Sequence, residues 1–446
     1  MRMARQTEEI PAEVFERTKQ AGEIQKRWVW VEPSVWTERM LTALERGVKG
    51  GKWFSLIDKV YNADNLAASF KKVKSNKGAA GVDHQTIEMF EADLGKNLGR
   101  VSEEIRLGKY KPQGIRRVEI AKPGSKEKRP LGIPTVRDRV VQTALRNVME
   151  PIFERDFSKH SYGFRPRRGC KDALRRVDEL LEKGYWYVVE IDIRKYFEKI
   201  PHEVLMEQLK TKISDGKVVE LIEAYLREGV LEEHEEEEFP KEGTPQGAVV
   251  SPLLANIYLD PLDWLMEAKG YEMIRYADDA VVMCRSQEEA QKALGEVQRW
   301  MEKVNLTLHK EKTRIANADS EGFDFLGYHF QRGRRWPRRK SLKKLQDTIR
   351  LRTRRTNGHE MAKIIASVNR MTRGWFEYFK HSHRNTFSIL DGWIRMRLRA
   401  ILRKRDRRKG TGHGWDHRRW PNSFFTKHGL FSLLTAHVVA CQSVVR

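Results

Sequence analysis

Apolar residues recur at helical steps through the last third of the chain. Leu342, Leu345 and Ile349 fall at i, i+3 and i+7. Ile364, Val368, Met371, Trp375 and Phe379 follow steps of four, three, four and four, and Ile394, Leu398 and Ile401 repeat the spacing. Between them stand Arg350, Arg352, Arg354, Arg355, Arg395, Arg397, Arg399 and Arg403. The pattern predicts a helical domain over about 341–406 with one apolar and one basic face. The middle of the chain, about 110–330, reads differently. The run from Tyr185 to Ile193 predicts a strand, and Tyr271 to Cys284 predicts strand, tight turn, strand. Gln287 to Val304 predicts a helix with Ala290, Leu294, Val297 and Met301 on one face, and Val218 to Leu226 predicts another. The first 105 or so residues read as mostly helical, broken at Gly50-Gly51 and Lys77-Gly78. The stretch from Arg332 to Lys340 is strongly basic and interrupted by Gly333 and Pro337, so it reads as a linker or domain boundary.

The 446 residues suggest roughly three structural units. Hydrophobic residues make up 39% of them, including 12 Trp and 18 Phe, too many for a disordered chain. No run of about 18 apolar residues stands out, and no apolar segment follows the basic N-terminus, so neither a membrane span nor a secretory signal is expected. Cys170, Cys284 and Cys441 lie far apart and form no CxxC pair, which argues against a disulfide framework and a cysteine zinc site. A reducing interior is the default setting for such a chain. Lys and Arg total 85 against 62 Asp and Glu, a formal charge of +23. That excess points to a polyanionic partner, above all nucleic acid. Past residue 407, Trp415, Trp420, Phe424, Phe425 and Phe431 are interleaved with basic residues. This suits nucleic-acid contact and suits a small packed module equally well. The acidic run from Glu232 to Glu238 reads as a solvated loop or hairpin tip.

Two places set carboxylates beside apolar strands. Asp192 ends the run Val188-Val189-Glu190-Ile191, and Asp278-Asp279 occupy the turn after Tyr276-Ala277. Aspartate is poor in strands and costly in apolar surroundings. Acidic groups so placed are stabilised by cations, and hard divalent ions such as Mg²⁺ take carboxylate oxygens. Two such ions about 4 Å apart activate a hydroxyl and stabilise a leaving pyrophosphate in phosphoryl transfer. A lone Asp-Asp pair is more often a plain turn. Three features shift the balance: the small Ala277 before it, Phe197 five residues after Asp192, and Gly243-Thr-Pro-Gln-Gly247 ahead of a helix whose N-terminus offers backbone N–H groups.

The order Asp192…Phe197, TPQG…SPLLANIYLD (244–260), YADD (276–279), LTLHKEKT (306–313) and FDFLGYHF (323–330) resembles that of reverse transcriptases, in the branch encoded by bacterial group II introns. Arg129-Pro-Leu-Gly-Ile-Pro134, Arg137-Asp-Arg139 and Ser161-Tyr-Gly-Phe-Arg-Pro166 agree with it. Arg373-Gly-Trp-Phe-Glu-Tyr-Phe379 resembles the thumb or maturase domain of those proteins. Trp420-Pro-Asn-Ser-Phe-Phe425 with Gly429-Leu-Phe-Ser-Leu433 resembles their small DNA-binding part. The resemblance covers roughly residues 50–446.

It implies an α+β right-hand polymerase, with fingers, a palm built on an antiparallel sheet, and an α-helical thumb or maturase domain. The expected division is a 1–50 extension, 51–335 fingers and palm, 336–406 thumb, and a 407–446 DNA-binding segment. Asp192, Asp278 and Asp279 match the acidic triad, with Ile193 lending a carbonyl to the two Mg²⁺ ions, for which Mn²⁺ is a possible substitute. Phe197 matches the ring that collides with a ribose 2′-OH. Lys122 and Arg129 match the residues on the dNTP triphosphate, with Lys126 and Lys128 as neighbouring choices. Pro245, Gln246 and Gly247 match the nucleotide and template pocket. Lys312 matches a lysine near the leaving pyrophosphate, and a solvent-exposed lysine is its plain alternative. The implied partners are an RNA template, a DNA primer and product, dNTPs, group II intron RNA and target DNA, with no membrane. The setting is the bacterial cytoplasm at the nucleoid.

Many intron-encoded proteins end in a nuclease with paired cysteines, which this sequence lacks. It therefore resembles the endonuclease-less class, whose primer comes from elsewhere. His381, His383, His413, His417, His428 and His437 suggest a metal site in number only. No GxxxxGK[ST] is present. Two other functions fit the same sequence: a splicing cofactor in which polymerisation is secondary, and a polymerase domesticated for DNA repair or phage defence. The intact acidic residues argue against the first, and Ala277 favours the mobile-intron form over the second.

Overall fold

The structure is a computed structural model that describes residues 24–121 (save 25), 128–228, 241–410 and 414–444. The acidic run Glu232–Glu238 and the fingertip residues 122–127 lie outside those ranges.

Helix α1 (Ala63–Asn76) packs on α2 (Val136–Glu154), the long central helix of the N-terminal half. Fifteen of the 19 residues of α2 are buried, among them the polar Asp138, Arg139, Gln142, Thr143 and Asn147. Just before it, β1 (Arg116–Ala121) and β2 (Lys128–Ile133) form an antiparallel hairpin.

The second half is built on a four-stranded antiparallel sheet. Its strands are β3 (Tyr187–Asp192), β4 (Glu272–Tyr276), β5 (Asp279–Cys284) and β6 (Arg314–Asn317), in the order β4-β5-β3-β6. Both faces are covered, so β3 and β5 read as largely apolar runs and do not alternate. Val189, Ile191 and Val282 join one core with helices α4 (Ser251–Ala268) and α5 (Gln287–Lys303). Val188, Val281 and Met283 join another with α3 (Cys170–Glu182) and a small sheet of β7 (Phe323–Phe325), β8 (Tyr328–Gln331) and β9 (Arg334–Pro337). The expected linker at 332–340 is therefore structured. Arg332 and Gly333 make the turn, both at positive φ, β9 pairs with β8, and the next helix starts at Arg339. Gly and Pro punctuate a hairpin and a helix start here, where the sheets give way to the helices that follow.

Three helices follow: α6 (Arg339–Arg352), α7 (Met361–Phe379) and α8 (Arg384–Arg405). Their apolar stripes meet in a third core. The tail shares that core. Trp420, Phe425 and Leu433 are buried among Phe387, Ile394 and Leu398. The carboxylate of buried Asp391 accepts the N–H groups of Leu433 and Leu434 at 3.0 and 3.2 Å, capping helix α9 (Leu433–Val444) from another element. These aromatics belong to the helical domain's packing and form no separate module; Trp415 is exposed. The basic face also divides. Arg399 is buried and donates to the Trp420 carbonyl at 2.9 Å and Asn422 Oδ1 at 2.8 Å. Arg397 donates to Thr353 Oγ1 at 2.7 Å. Arg350, Arg352 and Arg354 remain exposed.

Candidate active site

The strand register brings the three aspartates to one end of the sheet. Asp192, the last residue of β3, lies opposite Asp279, the first of β5. Asp279 also faces Tyr276 across the β4–β5 hairpin, which leaves Ala277 and Asp278 as a two-residue turn. Ala277 has φ +59 and Asp278 does not share the positive φ, the pattern of a type II′ turn, which ordinarily takes Gly first. Gly163 explains part of the crowding there. A Cβ on it would lie 2.2 Å from the Ala277 nitrogen.

Protein packed around Asp279, and after it the charges of Asp278 and Asp192, push its carboxyl up to about 7. Asp279 is nonetheless solvent-exposed at the end of the sheet, and the charges of Asp278 and Asp192 act on it whatever its exposure. Lys312 sits on Asp192, with Nζ 3.2 and 3.3 Å from the two carboxylate oxygens. It arrives on the loop that follows α5. There the His309 N–H donates to the Asp192 carbonyl at 2.8 Å, and Ile193 bridges antiparallel to Leu308. Lys312 is solvent-exposed, with 58% of its side-chain surface accessible, and still reaches Asp192. Among the described residues no three His, Cys, Asp or Glu side chains already converge on one point at metal-holding distance. The donor chemistry nevertheless suits a hard divalent cation: three carboxylates gather at one sheet end.

After Asp192 the chain turns sharply. Lys195 adopts a left-handed conformation, and the short 3-10 turn Tyr196–Glu198 presents Phe197. The Tyr196 hydroxyl anchors that turn by donating to the Ala255 carbonyl at 2.5 Å. The Thr244 N–H donates to the Phe197 carbonyl at 2.6 Å, so the 243–247 loop is tied to the same turn. The other side of this loop meets β2. The Gly132 N–H donates to the Gln246 carbonyl at 2.6 Å, and a Cβ on Gly247 would lie 2.3 Å from the Gly132 oxygen. Pro245, Gln246 and Gly247 therefore join the β1–β2 hairpin to the aspartates. Arg129 lies on β2 of that hairpin, Lys128 pairs with Glu119 at 2.6 Å, and Lys122 lies outside the described residues.

Sequence reasoning missed Phe164. Its ring centroid lies 6.3 Å from that of Phe197, edge to face, and it is 42% exposed at φ +58. An aromatic residue at positive φ is held there by its surroundings. The available signal was the Gly163-Phe164 pair, since a glycine before an exposed ring marks a close backbone approach.

Residues 120–330 match the family described as reverse transcriptase (RNA-dependent DNA polymerase), and residues 342–420 match the group II intron, maturase-specific domain. The chain is 40% identical over 202 residues to the group II intron-encoded protein LtrA of Lactococcus lactis subsp. cremoris, a match spanning 45% of this chain and 33% of that protein. It is 32% identical over 349 residues to Protein YkfC of Escherichia coli K12, across 69% of this chain and 86% of that one. Among solved structures, a partial Cas6-RT-Cas1–Cas2 complex aligns at 26% identity over 56% of this chain and 42% of that one, with a TM-score of 0.36, too low to carry an argument.

Proposed function

The chain belongs to the group II intron reverse transcriptase and maturase family, and from that premise we propose that it is an RNA-directed DNA polymerase that extends a primer 3′-OH with dNTPs. The observation that carries this reading is the register that sets Asp192 against Asp279, with Asp278 at the adjoining turn and Phe197 on the next one. Reverse transcriptases generally use divalent metals. Asp192, Asp278 and Asp279 would hold two Mg²⁺ ions, with the Ile193 carbonyl assisting; bound there, they supply charge stabilisation for phosphoryl transfer.

The chain's own residues do the rest. Phe197, braced by Phe164, walls the sugar position and disfavours a 2′-hydroxyl. Gln246 and its neighbours shape the pocket floor, and Arg129 with Lys122 supplies cations to the triphosphate. Lys312, already on Asp192, is placed to neutralise charge near the leaving group and to give it a proton. Positioning and electrostatics carry most of the rate. The exposed arginines of α6 would hold the RNA–DNA hybrid by its backbone.

The match at 342–420 supports a second role, binding of the intron's own RNA to assist its splicing and mobility into target DNA. The division into 1–50, 51–335, 336–406 and 407–446 stands as part of the proposal, as does a bacterial nucleoid setting. No helix among the described residues is long and apolar enough to cross a membrane.

Primer extension on an RNA template with Mg²⁺ tests the reading, comparing dNTPs with NTPs and the native chain with Asp278→Ala. Extension with dNTPs alone, abolished by the substitution, is expected. Tight RNA binding with no extension under any condition would sink it in favour of a splicing cofactor.

A further inference from the structure

Arg275 is among the largest fully buried side chains of the protein, on a strand otherwise flanked by Ile274 and Tyr276. Its partner Asp263 is equally buried, with each side chain 2% exposed. A buried ion pair is seldom the most stable way to fill a core, because desolvating both charges offsets their attraction. Its use here lies in what the guanidinium fork can hold.

Nε donates to the two Asp263 oxygens at 2.8 and 3.1 Å, and Nη2 makes a further short bond to Oδ2. The remaining nitrogen, Nη1, donates to Asn256 Oδ1 at 3.0 Å and to the Ala277 carbonyl at 3.0 Å. Asp263 and Asn256 both stand on α4. The Asn256 amide donates in turn to the Gly163 carbonyl at 2.8 Å. The Arg275 backbone is held as well: its N–H donates to the His160 carbonyl at 3.0 Å, and its carbonyl accepts from the Tyr162 N–H at 2.8 Å.

We propose that Arg275 is a positioning residue for the acidic turn: fixed by Asp263 and Asn256, it grips the Ala277 carbonyl and so sets where Asp278 and Asp279 present their carboxylates. The turn has reason to drift without it. Ala277 is a non-glycine residue at φ +59, and beyond it Asp279 stands directly opposite Asp192, two like charges across the strands. A divalent ion such as Mg²⁺ demands near-ideal geometry, so a small displacement of its ligands is felt. The inference rests on the polymerase reading of Asp278 and Asp279.

Arg275→Lys tests it in the full chain. Lysine keeps the charge for Asp263 but has no fork to reach Asn256 and Ala277 together. The expected result is a kcat about tenfold to 100-fold lower, the size of effect a misplaced group produces. KM for dNTP and affinity for the RNA–DNA hybrid should stay within about twofold. Titration with Mn²⁺, followed by the free-ion paramagnetic resonance signal, should show weaker binding at the site that Asp278→Ala abolishes. Asn256→Ser, a gentler change to the same clamp, should shift kcat and Mn²⁺ affinity the same way and keeps the test open if the lysine variant does not fold. Unchanged kcat and Mn²⁺ affinity would overturn the inference. So would losses that merely follow a lower melting temperature and fall equally on hybrid binding. A native chain with no polymerase activity would instead overturn the reading beneath it, and the Mn²⁺ titration would still report on the clamp.

Discussion

At the scale of single residues, neighbourhood decides role. Phe197 is one of 18 phenylalanines, set apart by its position on a turn pinned by Tyr196 and Thr244, and the proposed polymerase role makes it the wall of the sugar position. Phe197→Ala should raise incorporation of NTP relative to dNTP by about tenfold or more, since selectivity here rests on exclusion by shape; competition assays with both nucleotides measure it. Asp260 shows the cost of a misplaced charge. Burial, and next the charge of Asp263, push its carboxyl up to about 6. Between the ordinary carboxyl range and about 6 the folded state holds a proton that the unfolded chain has lost. The resulting stability is complete below that range and disappears as pH rises through about 6. Asp260→Asn, which still accepts the Ser158 N–H seen at 3.3 Å, should therefore raise the melting temperature at pH near 8 and barely change it near pH 4. A larger gain at acidic pH would contradict the assignment.

At the scale of elements, close backbone approach organises the site. The β4–β5 turn, the loop at 160–166 and helix α4 share one polar cluster, and glycine permits the contact. Gly163→Ala forces a methyl group against the Ala277 nitrogen, so the turn must move. Primer extension should fall about 100-fold while hybrid binding persists, because misplacement costs rate before affinity. Equal activity in the variant would show that the turn tolerates displacement. The sequence made these elements visible: the strands at 187–192, 272–276 and 279–284 and the helix at 287–303 fall within or close to the stretches their apolar patterns mark. It marked 332–340 as a linker or boundary, and the structure fills that stretch with a turn, β9 and a helix start, because Gly and Pro signal a break without saying whether the chain leaves the fold or turns within it.

At the scale of the molecule, the charge of +23 is distributed by packing. Arg399, Arg397 and Arg403 serve the chain's own carbonyls and Asp416, while Arg350 and Arg352 of α6 stay exposed, bonded to Asp347 and Ser367. Binding to an RNA–DNA hybrid should weaken by at least about 100-fold between about 50 and about 200 mM salt, as expected when several phosphates are neutralised. An affinity independent of salt would show that the basic excess is structural. The aromatic tail was legible as composition only. Packing decided that Trp420 and Phe425 face the helical core and Trp415 faces solvent.

The sequence by itself determined the local elements, the acidic residues and the family, because periodicity and motif order are one-dimensional properties. It marked Asp192 and Asp278-Asp279 as costly wherever they were buried without a cation. Only the tertiary structure decided that Asp192 stands opposite Asp279, that Lys312 reaches Asp192, and that Phe164 backs Phe197. It also revealed Arg275, a single arginine between apolar strand residues whose partners lie 12 and 19 positions away. Strand register and burial depend on residues distant in the chain, and no local pattern encodes which of them will meet.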